Sequence, residues 1–125
     1  MDLAKCVIVL VITFIANLST YAAKMNNNLI YNAEEVNGVV CSETIFKREG
    51  TMLTNYMKHN YKYDANNQRT EDEAQKWNSN KNRWENNLCI RYTYGNKSMT
   101  TEYYKWNSKK KEYILVPEMT VTMDK

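Results

Sequence analysis

The tetrapeptide Lys-Trp-Asn-Ser stands twice in the chain, at residues 76–79 and 105–108. It is part of a longer period. Seven residues beyond Trp77 and Trp106 comes a second aromatic, Trp84 and Tyr113. Fifteen and seventeen residues beyond Trp77 stand Tyr92 and Tyr94; the same offsets from Phe46 reach Tyr61 and Tyr63, and from Trp106 they reach Val121 and Met123. Three units therefore begin at Phe46, Trp77 and Trp106, spaced by 31 and 29 residues. A period of this size marks stacked supersecondary units, none of which can bury its own face alone.

Each unit alternates with period two. Leu88, Ile90, Tyr92 and Tyr94 interleave with Cys89, Arg91 and Thr93, and Met57, His59, Tyr61 and Tyr63 interleave with Lys58, Asn60 and Lys62. Met119, Val121 and Met123 interleave with Thr120 and Thr122. This is the strand signature of one covered and one wet face. Turn-forming runs fall between, at 49–50, 64–67, 79–82, 95–97 and 108–111. The pattern predicts an all-β antiparallel meander of about six strands, near 38–47, 51–63, 68–78, 83–94, 98–107 and 112–123, built from a repeat of roughly 30 residues. Pro117 takes the place of Met57 and Leu88 in the period. Proline cannot donate to a ladder, so it assigns the last strand to a sheet edge.

The N-terminus has a different character. Lys5 precedes an apolar run from Cys6 to Leu18, and Ser19, Thr20, Tyr21, Ala22 and Ala23 follow it. That layout is a secretory signal peptide, too short for a membrane span and cleaved after Ala22. The chain of 125 residues divides into a signal at 1–22, a polar leader at 23–37 and a β-repeat domain at 38–125, with one helical turn expected at 33–36. Loss of the signal removes nine of 22 Ile, Leu and Val residues but only two of 15 aromatics, leaving 13 of each. The interior of the mature protein must then be built largely from tyrosine and tryptophan. A signal peptide implies export to the periplasm, the cell surface or the medium, with no stable membrane span after cleavage.

Tyr61-Lys62-Tyr63-Asp64-Ala65-Asn66-Asn67, then Lys76-Trp77-Asn78, Trp84 and Tyr92-Thr93-Tyr94 resemble a group of small secreted proteins of unknown function from gut Gram-negative anaerobes. That group carries recurring Tyr-Asp-x-Asn-Gly and Lys-Trp-Asn segments on a β meander. The Tyr-Asp-x-Asn part is also similar to tyrosine–aspartate repeats of large secreted shell proteins, over a shorter stretch. Where the family pattern favours glycine this chain has Asn67, which tolerates positive φ. The resemblance implies export and a β fold, and brings no activity and no catalytic residues.

The residue types exclude several functions. A net charge of +3, from 17 basic and 14 acidic residues, is too mild for a nucleic-acid partner, and the basic turn Lys109-Lys110-Lys111 has no wider basic stripe beside it. His59 is the only histidine and reads as a strand residue hydrogen-bonded to a neighbour rather than as a catalytic base. With no recognisable nucleophile, metal motif or cofactor motif, the chain reads as a non-enzyme without metal or cofactor. Glu71, Asp72 and Glu73 are adjacent, and alternation sends Asp72 to the face opposite its neighbours, where a glycosidase pair would converge across a cleft. A charged face paired with Arg91 or Lys105 is expected instead.

Cys41 and Cys89 are the cysteines left after export, and an oxidising compartment favours their disulfide. A flat meander places them three strands, ~14 Å, apart, beyond the ~7 Å limit between bonded Cα atoms. Either the sheet curls, the first strand leaves the order, or the thiols stay unbonded. The aromatics Trp77, Trp84, Trp106, Tyr92 and Tyr94 are the candidate contact residues, on an aromatic sheet face for a glycan or a cell-envelope protein. The function expected is thus a binding or structural module; the alternative is a secreted inhibitor or interaction partner of another extracellular protein.

Overall fold

The computed structural model describes residues 9–10 and 28–124. Among the described residues the chain is all-β apart from one 3-10 turn, Pro117–Met119. Its strands are β1 (Val9–Leu10), β2 (Leu29–Val36), β3 (Val39–Glu49), β4 (Met52–Tyr63), β5 (Arg69–Asn78), β6 (Arg83–Tyr94), β7 (Ser98–Asn107), β8 (Glu112–Leu115) and β9 (Val121–Asp124). They form one antiparallel meander in chain order from β1 to β8, with β9 also beside β7.

The meander is as expected, but it runs through eight strands in order rather than about six. One difference is at the N-terminal end, where Val9–Leu10, within the expected signal, form β1 and residues 29–36, expected within a polar leader with a helical turn at 33–36, form β2. Asn37 and Gly38 have φ of 52° and 80° and join β2 to β3. Asn-Gly is the strongest two-residue hairpin signal, because both central residues must adopt positive φ. It was available in the sequence and marks β2. The other difference is at Pro117. The single strand expected over 112–123 breaks there: β8 pairs with Tyr104–Asn107 and β9 with Ser98–Thr101, with the 3-10 turn between them. Met119 lies in that turn, not in the expected alternation. Proline does stand at the sheet edge, and its missing N–H also interrupts the edge.

Four of the hairpins carry one extra residue: Cys41 on β3, Tyr56 on β4, Thr70 on β5 and Asn87 on β6. Such a bulge exchanges the faces of the residues before and after it and increases the twist. Among the described residues no second layer covers the sheet: the main packing of each strand is against its hydrogen-bonded neighbours. Few side chains are therefore fully buried. Ala74 and Cys89, at 0% and 1% exposure, lie mid-sheet, with Ile30, Cys41, Ser42 and Ile45 nearer β2.

Candidate functional site

Residues directly opposite on neighbouring strands share a face. The cross-strand register therefore assigns every side chain. Glu43, His59, Ala74, Leu88 and Lys105 form one row, with Asp72, Tyr61, Ile90 and Tyr103 in another on the same side. We term this the histidine face. Trp77 lies opposite Trp84, and Trp106 opposite Tyr113, on the other side, with Glu71, Glu73, Cys89, Arg91 and Tyr104. This is the tryptophan face.

The five aromatics expected on one face are divided. Trp77, Trp84 and Trp106 are on the tryptophan face, and Tyr92 and Tyr94 are on the histidine face. Even spacing along β6 would place Trp84 with Tyr92 and Tyr94, but the bulge at Asn87 inverts the phase between them. On the tryptophan face the rings form two edge-to-face pairs. Trp77 and Trp84 have centroids 5.1 Å apart at 67°, and Trp106 and Tyr113 are 4.9 Å apart at 66°. All four rings are half-buried. Asn78 and Asn107, next in each Lys-Trp-Asn-Ser segment, fix the adjoining loops. Asn78 Oδ1 accepts from the N–H groups of Asn80 and Lys81, and Asn107 Oδ1 from those of Lys109 and Lys110.

Beyond the rings the tryptophan face is polar. Glu71 accepts from Arg91 at 3.2 Å and Lys62 at 3.1 Å. The expected pairing of the acidic run with Arg91 is therefore present, and Asp72 lies on the other face as alternation requires. Arg91 also stacks on Tyr104, 4.5 Å from the ring centroid, and Tyr113 donates to Glu73 at 3.0 Å. A depression of about 350 Å³ opens beside Asn60, Lys62, Glu71 and Glu73. Cys89 lies beneath this network. Burial, reinforced by the Glu71 charge, raises its thiol to about 12. No bond joins it to Cys41. The two stand on β3 and β6, three strands apart in the sheet order, so of the alternatives left open the structure takes the one without the disulfide.

On the histidine face, His59 Nδ1 lies 2.7 Å from Asp72 Oδ1 on the neighbouring strand. That hydrogen bond, ahead of the opposing effect of burial, raises the imidazole above its ordinary value of 6.5. Burial likewise raises the Glu43 carboxyl. His59 stacks on Tyr61, whose ring also carries the Arg69 guanidinium at 3.7 Å. Arg69 donates to Tyr63 Oη, and Tyr94 Oη donates to the Arg69 carbonyl at 2.6 Å. Glu43 and Arg69 escape sequence reading because one lies on β3 and the other follows a turn. The position of Arg69 straight after the Tyr-Asp-x-Asn turn is the signal that could have found it. The positive φ of 59° at Asn67 matches the turn expected there. Among the described residues, no three His, Cys, Asp or Glu side chains converge as metal ligands. No helix among them is long and apolar enough to cross a membrane.

A single-layer antiparallel meander with aromatic and charged rows on both faces is a scaffold class rather than an activity. Within it, the chain belongs to DUF3836, a family of unknown function whose model matches residues 1–124. It is similar to a crystallised DUF3836 family protein from Bacteroides vulgatus ATCC 8482, with 97% identity over 78% of this chain and 100% of that one, at a TM-score of 0.77. A DUF3836 family protein from Parabacteroides distasonis ATCC 8503 is 25% identical over 78% of this chain and 88% of that one, with a TM-score of 0.67. A protein with unknown function from Bacteroides fragilis NCTC 9343, 23% identical over 74% and 69% of the two chains, shares the fold at a TM-score of 0.66. No curated protein matches the chain.

Proposed function

We propose that this chain is an exported, non-catalytic binding module whose tryptophan face contacts a glycan. The observation that carries this reading is the pair of half-buried edge-to-face aromatic couples beside a polar network. Rings present apolar faces to sugar C–H groups, while Glu71, Glu73, Lys62 and Arg91 supply hydrogen-bonding groups for hydroxyls. The non-catalytic part is supported by the separation of reactive groups. His59 and Cys89 stand on opposite faces, and a thiol near 12 is protonated at neutral pH. Export is supported by the apolar run behind Lys5 and the small residues at 19–23.

We also read the sheet as three copies of one hairpin unit. The equivalent couples Trp77–Trp84 and Trp106–Tyr113 support this, as do the equivalent turn-capping residues Asn78 and Asn107.

Glycan-array binding followed by tryptophan fluorescence titration tests the main reading. The expected result is saturable quenching that falls at least ~10-fold in affinity on Trp77→Ala or Trp106→Ala. No response across host and bacterial glycans overturns it. A protein partner is the second reading, favoured by the exposed apolar side chains Ile114, Val121 and Met123 on one face of the β8–β9 edge, with Met119 in the turn between the strands. Recovery of one envelope protein at fixed stoichiometry, lost on Val121→Lys, would support it.

A further inference from the structure

The two edges of the sheet are built differently. At the β8–β9 edge, Pro117 and the 3-10 turn leave only two four-residue strands. Short strands and proline are devices that blunt an edge. At the other edge β2 is eight residues long, Leu-Ile-Tyr-Asn-Ala-Glu-Glu-Val, with no proline, lysine or arginine. Among the described residues its outer side is paired at two positions, where Val9 meets Glu35 and Leu10 meets Glu34. Both partners lie within the proposed signal. Removal of residues 1–22 would leave the whole outer side of β2 open.

The segment left ahead of β2 is too short to cover Leu29 to Ala33 by a hairpin. Cleavage after Ala22 leaves six residues, 23–28, ahead of Leu29. To cover Leu29 to Ala33 they would need about five paired residues plus a two-residue turn.

We propose that β2 of the mature protein pairs with β2 of a second copy, antiparallel about a two-fold axis through Tyr31. Identical strands paired antiparallel are self-complementary. Conservation of faces across the junction limits the register to steps of two residues. In the Tyr31-centred register, Leu29 opposes Ala33, Ile30 opposes Asn32, and Glu34 opposes the amide of Asn28. Registers centred on Glu34 or Glu35 set those carboxylates of the two copies face to face, which is unfavourable. In the copy's own sheet, Tyr31 opposes Ile45 and Ile45 opposes Met57. The junction therefore joins two apolar rows of the histidine face into one.

This inference rests on the removal of the signal proposed above. Its test uses protein made directly from Ala23, so that failure of pairing is separable from failure of export. A folded length of this kind is realised in the crystallised Bacteroides vulgatus protein, which corresponds to 78% of this chain. Sedimentation velocity on that protein is expected to show a dimer at micromolar concentration. Tyr31→Lys, which sets two ammonium groups face to face, is expected to weaken it at least ~100-fold with native tryptophan fluorescence retained. Opposed Cα atoms in an antiparallel pair lie ~4.5–5.5 Å apart, within disulfide range, so Tyr31→Cys is expected to give an oxidised dimer linked through position 31. That second variant decides the matter if Tyr31→Lys fails to fold. A monomer at all concentrations, a Tyr31→Lys variant that stays dimeric, or no linkage through position 31 overturns the proposal.

Discussion

His59 and its partner Asp72 make the stability of the sheet depend on pH. The folded imidazole titrates above 6.5 because Asp72 accepts its hydrogen bond, with the charges of Asp72 and Glu43 adding to this and Arg69 opposing it. Its stabilising contribution is complete below 6.5 and is lost as pH rises through the folded value. Glu43 acts in the same direction at lower pH: its raised folded value favours the protonated carboxyl, an advantage lost as pH rises from its ordinary 4.5. The urea midpoint is therefore expected to fall as pH rises above 6.5, and His59→Gln to flatten that slope. Lys111 offers a second test. It holds a φ of 55°, a region that disfavours a side chain beyond Asn or Gly, and Asn82 occupies the matching place in the preceding loop. Lys111→Gly is expected to stabilise by about 0.5–1 kcal/mol, read as a raised Tm. At this scale the sequence was informative only about local matters. Alternation along β5 placed Asp72 on the correct face and set His59 beside a strand neighbour. It did not reveal Glu43 or Arg69, which approach His59 and Tyr61 only because β3, β4 and β5 are in register.

The hairpins owe their positions to side-chain oxygens that replace backbone acceptors. Asp64 Oδ1 accepts from Asn66 and Gln68, as Asn78 and Asn107 do in the loops that follow them. Asn78→Ala and Asn107→Ala each remove an acceptor for two loop N–H groups. Each is expected to cost about 1–2 kcal/mol in urea unfolding, with Ser79→Ala as a neutral control. This gives the Lys-Trp-Asn-Ser segment a physical division of labour: the ring joins a cross-strand couple and the amide sets the turn. Turn positions were legible because Asn, Asp and Gly have few competing roles. Bulges were not, since neither Tyr56 nor Asn87 differs in type from a residue of a regular strand. Yet one of those bulges separates Trp84 from Tyr92 and Tyr94. The N-terminal strand β2 was missed for another reason. Its Asn-Gly turn follows a polar run that hides a short apolar start.

Across the described residues, one layer of sheet has to supply the burial. Its deepest side chains are small, Ala74 and Cys89, because only mid-sheet positions flanked by strands on both sides are covered without a second layer. The Cys89 thiol is expected to resist a disulfide exchange reagent at pH 8 in the native protein and to react in full once urea unfolds it; rapid native reaction would contradict the burial. The Parabacteroides distasonis DUF3836 protein and the Bacteroides fragilis protein, with TM-scores of 0.67 and 0.66 at 25% and 23% identity, indicate how little of this sheet depends on particular side chains. By itself the sequence determined the all-β meander, the place of most turns and the edge position of Pro117. Those follow from period-two patterning and local backbone preference, which act over a few residues. Only the tertiary structure decided which aromatics share a face, that Cys41 and Cys89 are not bonded to each other, and that Glu43 and Arg69 join Asp72 around His59 and Tyr61. Those depend on the register between strands, and a single bulge shifts that register without leaving a mark in the residue types.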